Sequence, residues 1–143
     1  MNILTVSTGV IVQQVNTLGR MGAGLAAQIR TKWPVVKDMY YKCYKDYELG
    51  KVQLVRVNRS VIVANLYAQE TIGSTGLHTD YAALHKGFSY LSNLVTDIVP
   101  IYVPEGIGCG LGGGYWPVVQ AIIKDTCPQS WIVSLDKFDP YHL

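Results

Sequence analysis

The feature that most constrains this chain is a run of glycines between two apolar segments. Six of the nine residues from Gly106 to Gly114 are glycine, directly after residues 98–103 and directly before residues 116–119. Glycine loses much chain entropy on folding, which a fold tolerates where backbone takes positive φ or approaches another group closely. The order strand, glycine loop, helix directs free backbone amides and the positive end of a helix dipole at one anion-sized space. The run therefore predicts a phosphate-binding loop; the alternative is a flexible turn, since it matches neither nucleotide fingerprint.

The composition predicts one compact domain over residues 1–143. Apolar residues make up 49% of the chain and charged residues only 15%, which is typical of a packed globular core. A chain of this length buries such a core without disulfides or metals. The formal charge of +2 comes from scattered lysines and arginines, so nucleic acid is not an expected partner.

The cysteines and the N-terminus indicate a reducing, cytoplasmic setting. Cys43, Cys109 and Cys127 are odd in number and widely spaced, unlike a disulfide framework or a zinc site. His142 adds no metal-ligand spacing, so we expect neither a catalytic metal nor another cofactor. Residues 1–5 contain no cationic segment leading into a long apolar one, and no apolar run approaches the length of a membrane span. Secretion and membrane insertion are therefore not expected.

Hydrophobic periodicity predicts strands that alternate with helices. The predicted strands are residues 10–15, 52–57, 61–66, 98–103 and 131–135, with 3–6 as a candidate for another. One predicted helix follows Gly22, and Pro34 either ends it or begins a second helix. Another helix spans residues 80–91, and Pro117 lies in the first turn of a helix that reaches residue 124 or beyond. Residues 58–60 predict a tight hairpin turn. This order is typical of an α/β domain with a mixed, largely parallel sheet.

A second glycine loop, residues 15–24, also leaves a strand and enters a helix. Ligands of open α/β sheets bind outside the carboxyl ends of the strands, and both glycine loops follow strands. Asn16 stands at the end of its strand, where its carboxamide can donate to and accept from sugar hydroxyls. The two loops together can hold two phosphates, or a phosphate linked to a sugar. Taken alone, the Gly-Ala-Gly segment 22–24 is also typical of tight helix packing.

These segments, in this order, resemble a macro domain. The resemblance spans most of the chain and implies a three-layer α/β/α fold. It rests on Val15-Asn16, Gly22-Ala23-Gly24-Leu25-Ala26, Trp33-Pro34 and the Gly-Ile-Gly-Cys-Gly-Leu-Gly-Gly segment 106–113. Residues 20–24 and 107–111 resemble the branch of terminal ADP-ribose glycohydrolases, DNA ADP-ribosyl glycohydrolase antitoxins and yeast-type ADP-ribose 1″-phosphate phosphatases. Small phage-encoded members of that branch share this compact length.

The resemblance implies a cleft for ADP-ribose over the strand ends. Asn16 would contact and fix the distal ribose for catalysis, and the backbone of loop 106–114 would hold the diphosphate. The implied lining of the distal ribose is Gly22, Ala23 and Gly24, and the implied diphosphate amides are those of Gly108, Cys109, Gly110, Leu111 and Gly112. Phe138 or Tyr141 would stack on adenine, although either aromatic can equally pack in the core or dock the tail.

The chain departs from the family in three places. Residues 7–11 contain no acid where macro domains carry an aspartate that reads the adenine amino group. The glycohydrolases of the branch use a lysine after the hairpin strand and an acid after Gly-Cys-Gly-Leu, where this chain has 69–70 (Gln-Glu) and 112–113 (Gly-Gly). The first difference leaves adenine recognition without its family aspartate. The missing lysine and acid favour hydrolysis of ADP-ribose 1″-phosphate over removal of ADP-ribose by the glycohydrolase route. The alternatives are a reader of ADP-ribose without turnover, and a hydrolase that removes ADP-ribose from protein or nucleic acid.

Few polar side chains are candidates for chemistry. His78 can act as a general acid or base near neutral pH, or can be a surface loop histidine. Ser74 and Thr75 can bind a terminal phosphate, but Ser/Thr/Gly is also ordinary loop composition. Asp80 is predicted to cap a helix. Cys109 lies where backbone dipoles can lower a thiol pKa, and we predict a packing role for it.

Overall fold

A computed structural model of the chain describes residues 2–22 and 24–134, in which a five-stranded sheet lies between two layers of helices. The strands are β1 (Gly9–Asn16), β2 (Val52–Arg56), β3 (Val61–Gln69), β4 (Ile101–Pro104) and β5 (Trp131–Val133). The helices are α1 (Leu25–Lys32), α2 (Pro34–Cys43), α3 (Tyr81–Leu94) and α4 (Trp116–Thr126). Short 3-10 helices span Ile3–Thr5 and Tyr44–Asp46.

The sheet is mixed and largely parallel, which confirms the predicted three-layer α/β class. Its strand order is β2-β3-β1-β4-β5. β1 pairs in parallel with β3 and β4, and β4 with β5, while β2 and β3 form the predicted antiparallel hairpin. The side chain of Asn58 closes that hairpin, because its Oδ1 accepts from the amides of Ser60 (2.8 Å) and Val61 (2.9 Å).

Both faces of the sheet are covered, so the central strands carry continuous apolar runs. Val10 and Val12 of β1 pack on one face with residues of α3 and α4. Ile11 and Val15 pack on the other face with residues of α1 and α2, among them Tyr40. The two cores hold the carboxyl ends of β1 and β4 side by side, where the two glycine loops leave the sheet.

The predicted helix starts are confirmed. Pro34 and Pro117 stand in the first turns of α2 and α4, where a proline without an N–H leaves no hydrogen bond unmade. Asp80 caps α3, since its Oδ1 accepts from the Ala83 amide at 2.9 Å. None of the helices in the described part of the chain has the length and apolar character that a bilayer span requires.

Three strand predictions are wrong: the candidate strand at residues 3–6, the start of β4, and the end of β3, which reaches Gln69 rather than residue 66. Residues 3–5 form a 3-10 helix instead of a strand, because Asn2 Oδ1 accepts from the Leu4 amide at 2.9 Å and turns the chain locally. β4 begins at Ile101 rather than at residue 98, since a turn over residues 96–99 precedes it and leaves Ile98 90% exposed. Apolar composition alone does not distinguish these segments from strands.

Candidate functional site

A cleft with two lobes lies at the carboxyl ends of β1 and β4. The first lobe, about 420 Å³, lies between residues 104–112 and the start of α1. The second lobe, about 360 Å³, lies between residues 14–22 and residues 72–73. The cleft is lined by residues of loop 17–24 and of the glycine loop after β4. Four residues line both lobes, so the lobes are continuous. The shared residues are Gln14, Ala26, Gln69 and Leu111.

The glycine loop of residues 105–115 leaves a set of backbone amides unused. Some of its amides close turns within the loop, such as Cys109 N to Gly106 O (2.9 Å) and Gly114 N to Gly108 O (2.9 Å). Five others donate to no acceptor within residues 2–22 and 24–134, and all five residues line the first lobe. They are Gly106, Gly108, Gly110, Leu111 and Gly112. The first lobe is thus edged by hydrogen-bond donors without partners, which suits an anion.

Two of these glycines lie so close to side chains that a Cβ would collide. Gly108 has φ +76°, and a Cβ there would lie 2.7 Å from Gln14 Oε1. A Cβ on Gly112 would collide with Thr79 Oγ1. Glycine is required here because the loop backbone lies directly against side chains beneath it.

The start of α1 forms the opposite wall of the first lobe. Gly24 has φ +65° and ψ −136°, a conformation that lets the chain turn into Leu25 and α1. The unpaired first-turn amides of a helix and its dipole favour negative charge. Gly24 lines the first lobe and Gly22 the second, whereas Ala23 lies outside the described residues.

Asn16 shapes the loop of residues 17–24 from the end of β1. Its Oδ1 accepts from the amides of Leu18 (3.0 Å) and Arg20 (3.2 Å), and its Nδ2 donates to Arg20 O at 2.7 Å. The side chain is buried but lines the second lobe, and its other Nδ2 hydrogen has no acceptor within the described ranges. The predicted contact between Asn16 and a distal ribose stays a prediction; the structure adds a role in holding the loop.

Sequence reasoning missed Tyr40, which fixes Asn16 from α2. The fully buried Tyr40 hydroxyl lies 2.7 Å from Asn16 O and 2.8 Å from Asn16 Oδ1, and it accepts from the Arg20 amide at 3.1 Å. Burial raises the pKa of Tyr40 to about 12, so the hydroxyl keeps its proton and remains a donor. In the sequence Tyr40 is only one residue on the apolar side of a helix, which carries no signal for this role.

His78 is held within its own loop. Its Nε2 lies 2.7 Å from Thr75 O and therefore donates to that carbonyl, while Nδ1 lies 2.8 Å from Thr71 Oγ1. Neither His78 nor Ser74 nor Thr75 lines a lobe, whereas Gly73 of the same loop lines the second. The catalytic role of His78 and the ligand contacts of Ser74 and Thr75 therefore stay predictions that this geometry does not assist.

Cys109 faces inward rather than toward the cleft. Its thiol donates to Ile107 O at 3.4 Å, and burial raises the pKa of the thiol instead of lowering it. Its amide donates to Gly106 O at 2.9 Å, so the predicted contact of this amide with a diphosphate stays a prediction that this geometry does not assist. The other four predicted amides are unused.

Other candidates fall outside the lobes or outside the described residues. Phe138 and Tyr141, predicted to contact adenine, lie outside the described residues. Within residues 2–22 and 24–134 no three His, Cys, Asp or Glu side chains come together as a metal site requires. The sequence interpretation overlooked Gln13, Gln14 and Glu105, which line the first lobe. Two adjacent glutamines inside an apolar strand were the available signal.

Comparison of the sequence with protein-family models and with curated proteins finds no match. Solved structures do match. A protein of unknown function from Bacteroides thetaiotaomicron is 26% identical with a TM-score of 0.82, covering 92% of this chain and 91% of that one. A macrodomain protein from Streptomyces coelicolor is 24% identical with a TM-score of 0.75, covering 93% and 92%.

A third match is Thermosipho africanus DarTG in complex with ADP-ribose. It is 19% identical with a TM-score of 0.75, covering 93% of this chain and 38% of the longer one. At such identities the likeness defines the fold. The order of the strands, the two helical layers and these structural matches together identify the fold of this chain as the three-layer macrodomain fold.

Proposed function

We propose that this chain binds ADP-ribose or a derivative along the two-lobed cleft, with the diphosphate in the first lobe. The observation that carries the proposal is the set of five loop amides that have no acceptor among the described residues. They edge a lobe of about 420 Å³ beside the start of α1, where a helix dipole favours an anion. ADP-ribose in the DarTG structure supports the same class of ligand here.

The second lobe suits the distal ribose and a group attached to it. The free Nδ2 hydrogen of Asn16 can donate to a ribose hydroxyl. Arg20 is exposed and lines the same lobe, so its guanidinium can pair with a terminal phosphate. A ligand laid across both lobes brings its distal ribose to these two residues.

For the chemistry, we propose hydrolysis of ADP-ribose 1″-phosphate to ADP-ribose and inorganic phosphate. Water attacks phosphorus, the bond from phosphorus to the ribose 1″ oxygen breaks, and the proton lost by water passes to the leaving oxygen. Arg20 neutralises charge on the phosphoryl oxygens, and the loop amides hold the diphosphate in place. Because both ring nitrogens of His78 are hydrogen-bonded in its loop, a phosphate oxygen of the substrate carries the proton between the two positions.

A second candidate is a reader that binds ADP-ribose without turnover. The specific observation in its favour is the lining of the second lobe: among the described residues there, Arg20 is the sole titratable side chain. Arginine does not give up its proton near neutral pH, so it does not serve as a general base. Such a lobe binds phosphate and sugar more readily than it activates water.

Substitution at Gly110 tests binding in the first lobe. Gly110 has no positive φ, and a Cβ there meets nothing within 4 Å, so side chains fit without strain. Gly110→Asp adds a negative charge beside the diphosphate and is expected to weaken ADP-ribose binding by at least about 30-fold, whereas Gly110→Asn retains most of the affinity. Calorimetry measures both. Equal affinity of the two variants would exclude the first lobe as the anion site.

Turnover assays separate the two candidate functions. The phosphatase releases inorganic phosphate from ADP-ribose 1″-phosphate, and Arg20→Gln slows that release by about tenfold or more. Binding without phosphate release at any pH from 5 to 9 would make the chain a reader. Loss of label from ADP-ribosylated protein or nucleic acid, with no phosphate released, would instead support a hydrolase acting on macromolecules.

A further inference from the structure

Thr79 connects the glycine loop of residues 105–115 to the sheet from below the cleft. The residue is 4% exposed and lines neither lobe. Its Oγ1 donates to Gly108 O at 2.6 Å, and its amide donates to Gly112 O at 2.9 Å. Beside it, Asp80 N donates to Ala68 O at 2.7 Å near the end of β3. Thr79 thus joins two carbonyls of the glycine loop to the central sheet.

Neighbouring amides set the direction of the Thr79 hydroxyl. Gln69 Nε2 donates to Thr71 O at 2.9 Å, which leaves Gln69 Oε1 as an acceptor for Gln14 Nε2 at 3.1 Å. The same Gln14 Nε2 donates to Thr79 Oγ1 at 2.9 Å. With a donor already facing it, the Thr79 hydroxyl directs its own hydrogen to Gly108 O.

These hydrogen bonds leave one buried acceptor beneath the glycine loop without a partner. Gln14 Oε1 is buried without a hydrogen-bond partner, and it lies 2.7 Å from where a Cβ on Gly108 would be. An unpartnered buried acceptor is unfavourable, and Gln14 holds it there because both Nε2 hydrogens are engaged. The orientation of Gln14 therefore serves Thr79 and the loop above it.

We propose that Thr79 is a positioning residue for anion binding, one that holds the loop amides toward the first lobe without contacting the ligand. The inference rests on the proposed function. The carbonyls that Thr79 holds, those of Gly108 and Gly112, bracket the segment whose amides at Gly110, Leu111 and Gly112 have no partner. Donors held in place before the ligand arrives lose less entropy on binding, so affinity depends on this buried hydroxyl.

Thr79→Val removes the hydroxyl at nearly constant shape, and Thr79→Ser keeps it. We expect Thr79→Val to weaken ADP-ribose binding by about tenfold, the order expected for losing one anchoring hydrogen bond, and Thr79→Ser to restore the affinity to within about twofold. Thr126→Val is the matched control, because its hydroxyl donates to Ile122 O at 2.7 Å within α4. Wild-type affinity in Thr79→Val, or failure of Thr79→Ser to restore it, would overturn the proposal.

Hydrogen exchange of the ligand-free protein supplies a second readout. In Thr79→Val the amides of Cys109 and Gly114, which close turns in the loop, are expected to exchange faster, while α4 amides are unchanged. Thr79→Ala serves the same purpose if Thr79→Val does not fold. If wild-type protein does not bind ADP-ribose, the proposed function fails. If exchange at the loop is the same with and without the Thr79 hydroxyl, the positioning role fails.

Discussion

At the scale of single residues, the polar side chains around the cleft mainly hold backbone in place. Asn16 and Tyr40 hold loop 17–24, His78 holds its own loop, and Thr79 holds the glycine loop. The groups left for a ligand are therefore chiefly backbone amides. Such a site recognises charge and shape, and amides that do not titrate keep that recognition independent of pH.

Tyr40 makes the stability of the fold vary with pH in the alkaline range. The folded chain keeps the Tyr40 proton up to about pH 12, whereas the unfolded chain releases it near the ordinary value of 10.0. The unfolded state then binds fewer protons, so the free energy of unfolding falls as pH rises from about 10 to 12. When the free energy of unfolding is measured with urea across that pH range, we expect it to fall less steeply with pH in Tyr40→Phe than in wild type.

The matched control for Tyr40 is its neighbour on the same helix. Tyr41 is 44% exposed, so Tyr41→Phe removes a surface hydroxyl from the same helix and controls for the loss of a phenol as such. Tyr67 is fully buried, and burial also raises its pKa, so part of the fall persists in Tyr40→Phe. If the free energy of unfolding falls equally steeply with pH in Tyr40→Phe and in wild type, the dependence on pH does not come from Tyr40.

At the scale of elements, a ladder of side-chain amides crosses three strands under α2. Asn65 of β3 lies in register with Gln13 of β1 and Gln53 of β2. Gln13 Nε2 donates to Asn65 Oδ1 at 2.8 Å, and Asn65 Nδ2 donates to Gln53 Oε1 at 3.2 Å. Gln53 Nε2 then donates to Met39 O of α2 at 3.1 Å. The ladder fixes the register of β1 and β3, the strands whose last residues, Asn16 and Gln69, line the cleft.

Breaking this ladder at its centre is expected to destabilise the fold. Asn65→Leu leaves Gln13 Nε2 buried without its acceptor, while Gln53 Oε1 keeps the Tyr67 hydroxyl as a donor at 3.1 Å. We therefore expect a loss of about 1–3 kcal/mol in the free energy of unfolding. Chemical denaturation measures it. Asn93→Leu, at an exposed position of α3, is the control and should change stability by less than about 0.5 kcal/mol. If Asn65→Leu changes the free energy of unfolding as little as the control does, the ladder contributes little to stability.

At the scale of the whole molecule, the cleft exists because three distant segments meet over the sheet. Loop 17–24, residues 69–79 and the glycine loop 105–115 follow β1, β3 and β4, and these strands are neighbours in the sheet. β1 is central and parallel to both others, so all three carboxyl ends open on the same edge. A ligand in the cleft contacts segments far apart in sequence and thereby stabilises the whole domain.

Ligand binding should therefore raise the melting temperature. ADP-ribose at about 100 times its dissociation constant adds about 2.7 kcal/mol to the stability, or roughly 5–10 °C for a domain of this size. Differential scanning calorimetry measures the shift. Gly110→Asp, with at least about 30-fold weaker binding, is expected to gain less than about 1 kcal/mol and so to show about a third of the shift or less at the same ligand concentration. A full shift in that variant would place the ligand outside the first lobe.

Much of the fold and part of the site were predictable from local pattern. The hairpin around Asn58, the Asp80 cap, the prolines that begin α2 and α4, and the glycine loop after β4 all follow from neighbouring residues. The predictions for residues 3–6 and for the start of β4 are wrong, because an apolar run has the same composition in a turn as in a strand. The predicted end of β3 is also wrong, at residue 66 instead of Gln69. Tyr40 and Thr79 carried no local signal, because their partners are loops far along the chain.

The sequence by itself determined which segments become strands, helices and glycine loops, because caps, turns and periodicity act between residues a few positions apart. It also determined that a glycine-rich loop follows β4, where we propose the anion site, since positive φ and close backbone approach favour glycine. The tertiary structure decided which donors remain free among the described residues: the Cys109 amide closes a turn on Gly106 O, while the amides of Gly108 and Gly110 beside it are unused. The reason is that hydrogen-bond partners such as Thr79 and Gly108 lie far apart in the sequence and meet only because the sheet places their segments side by side.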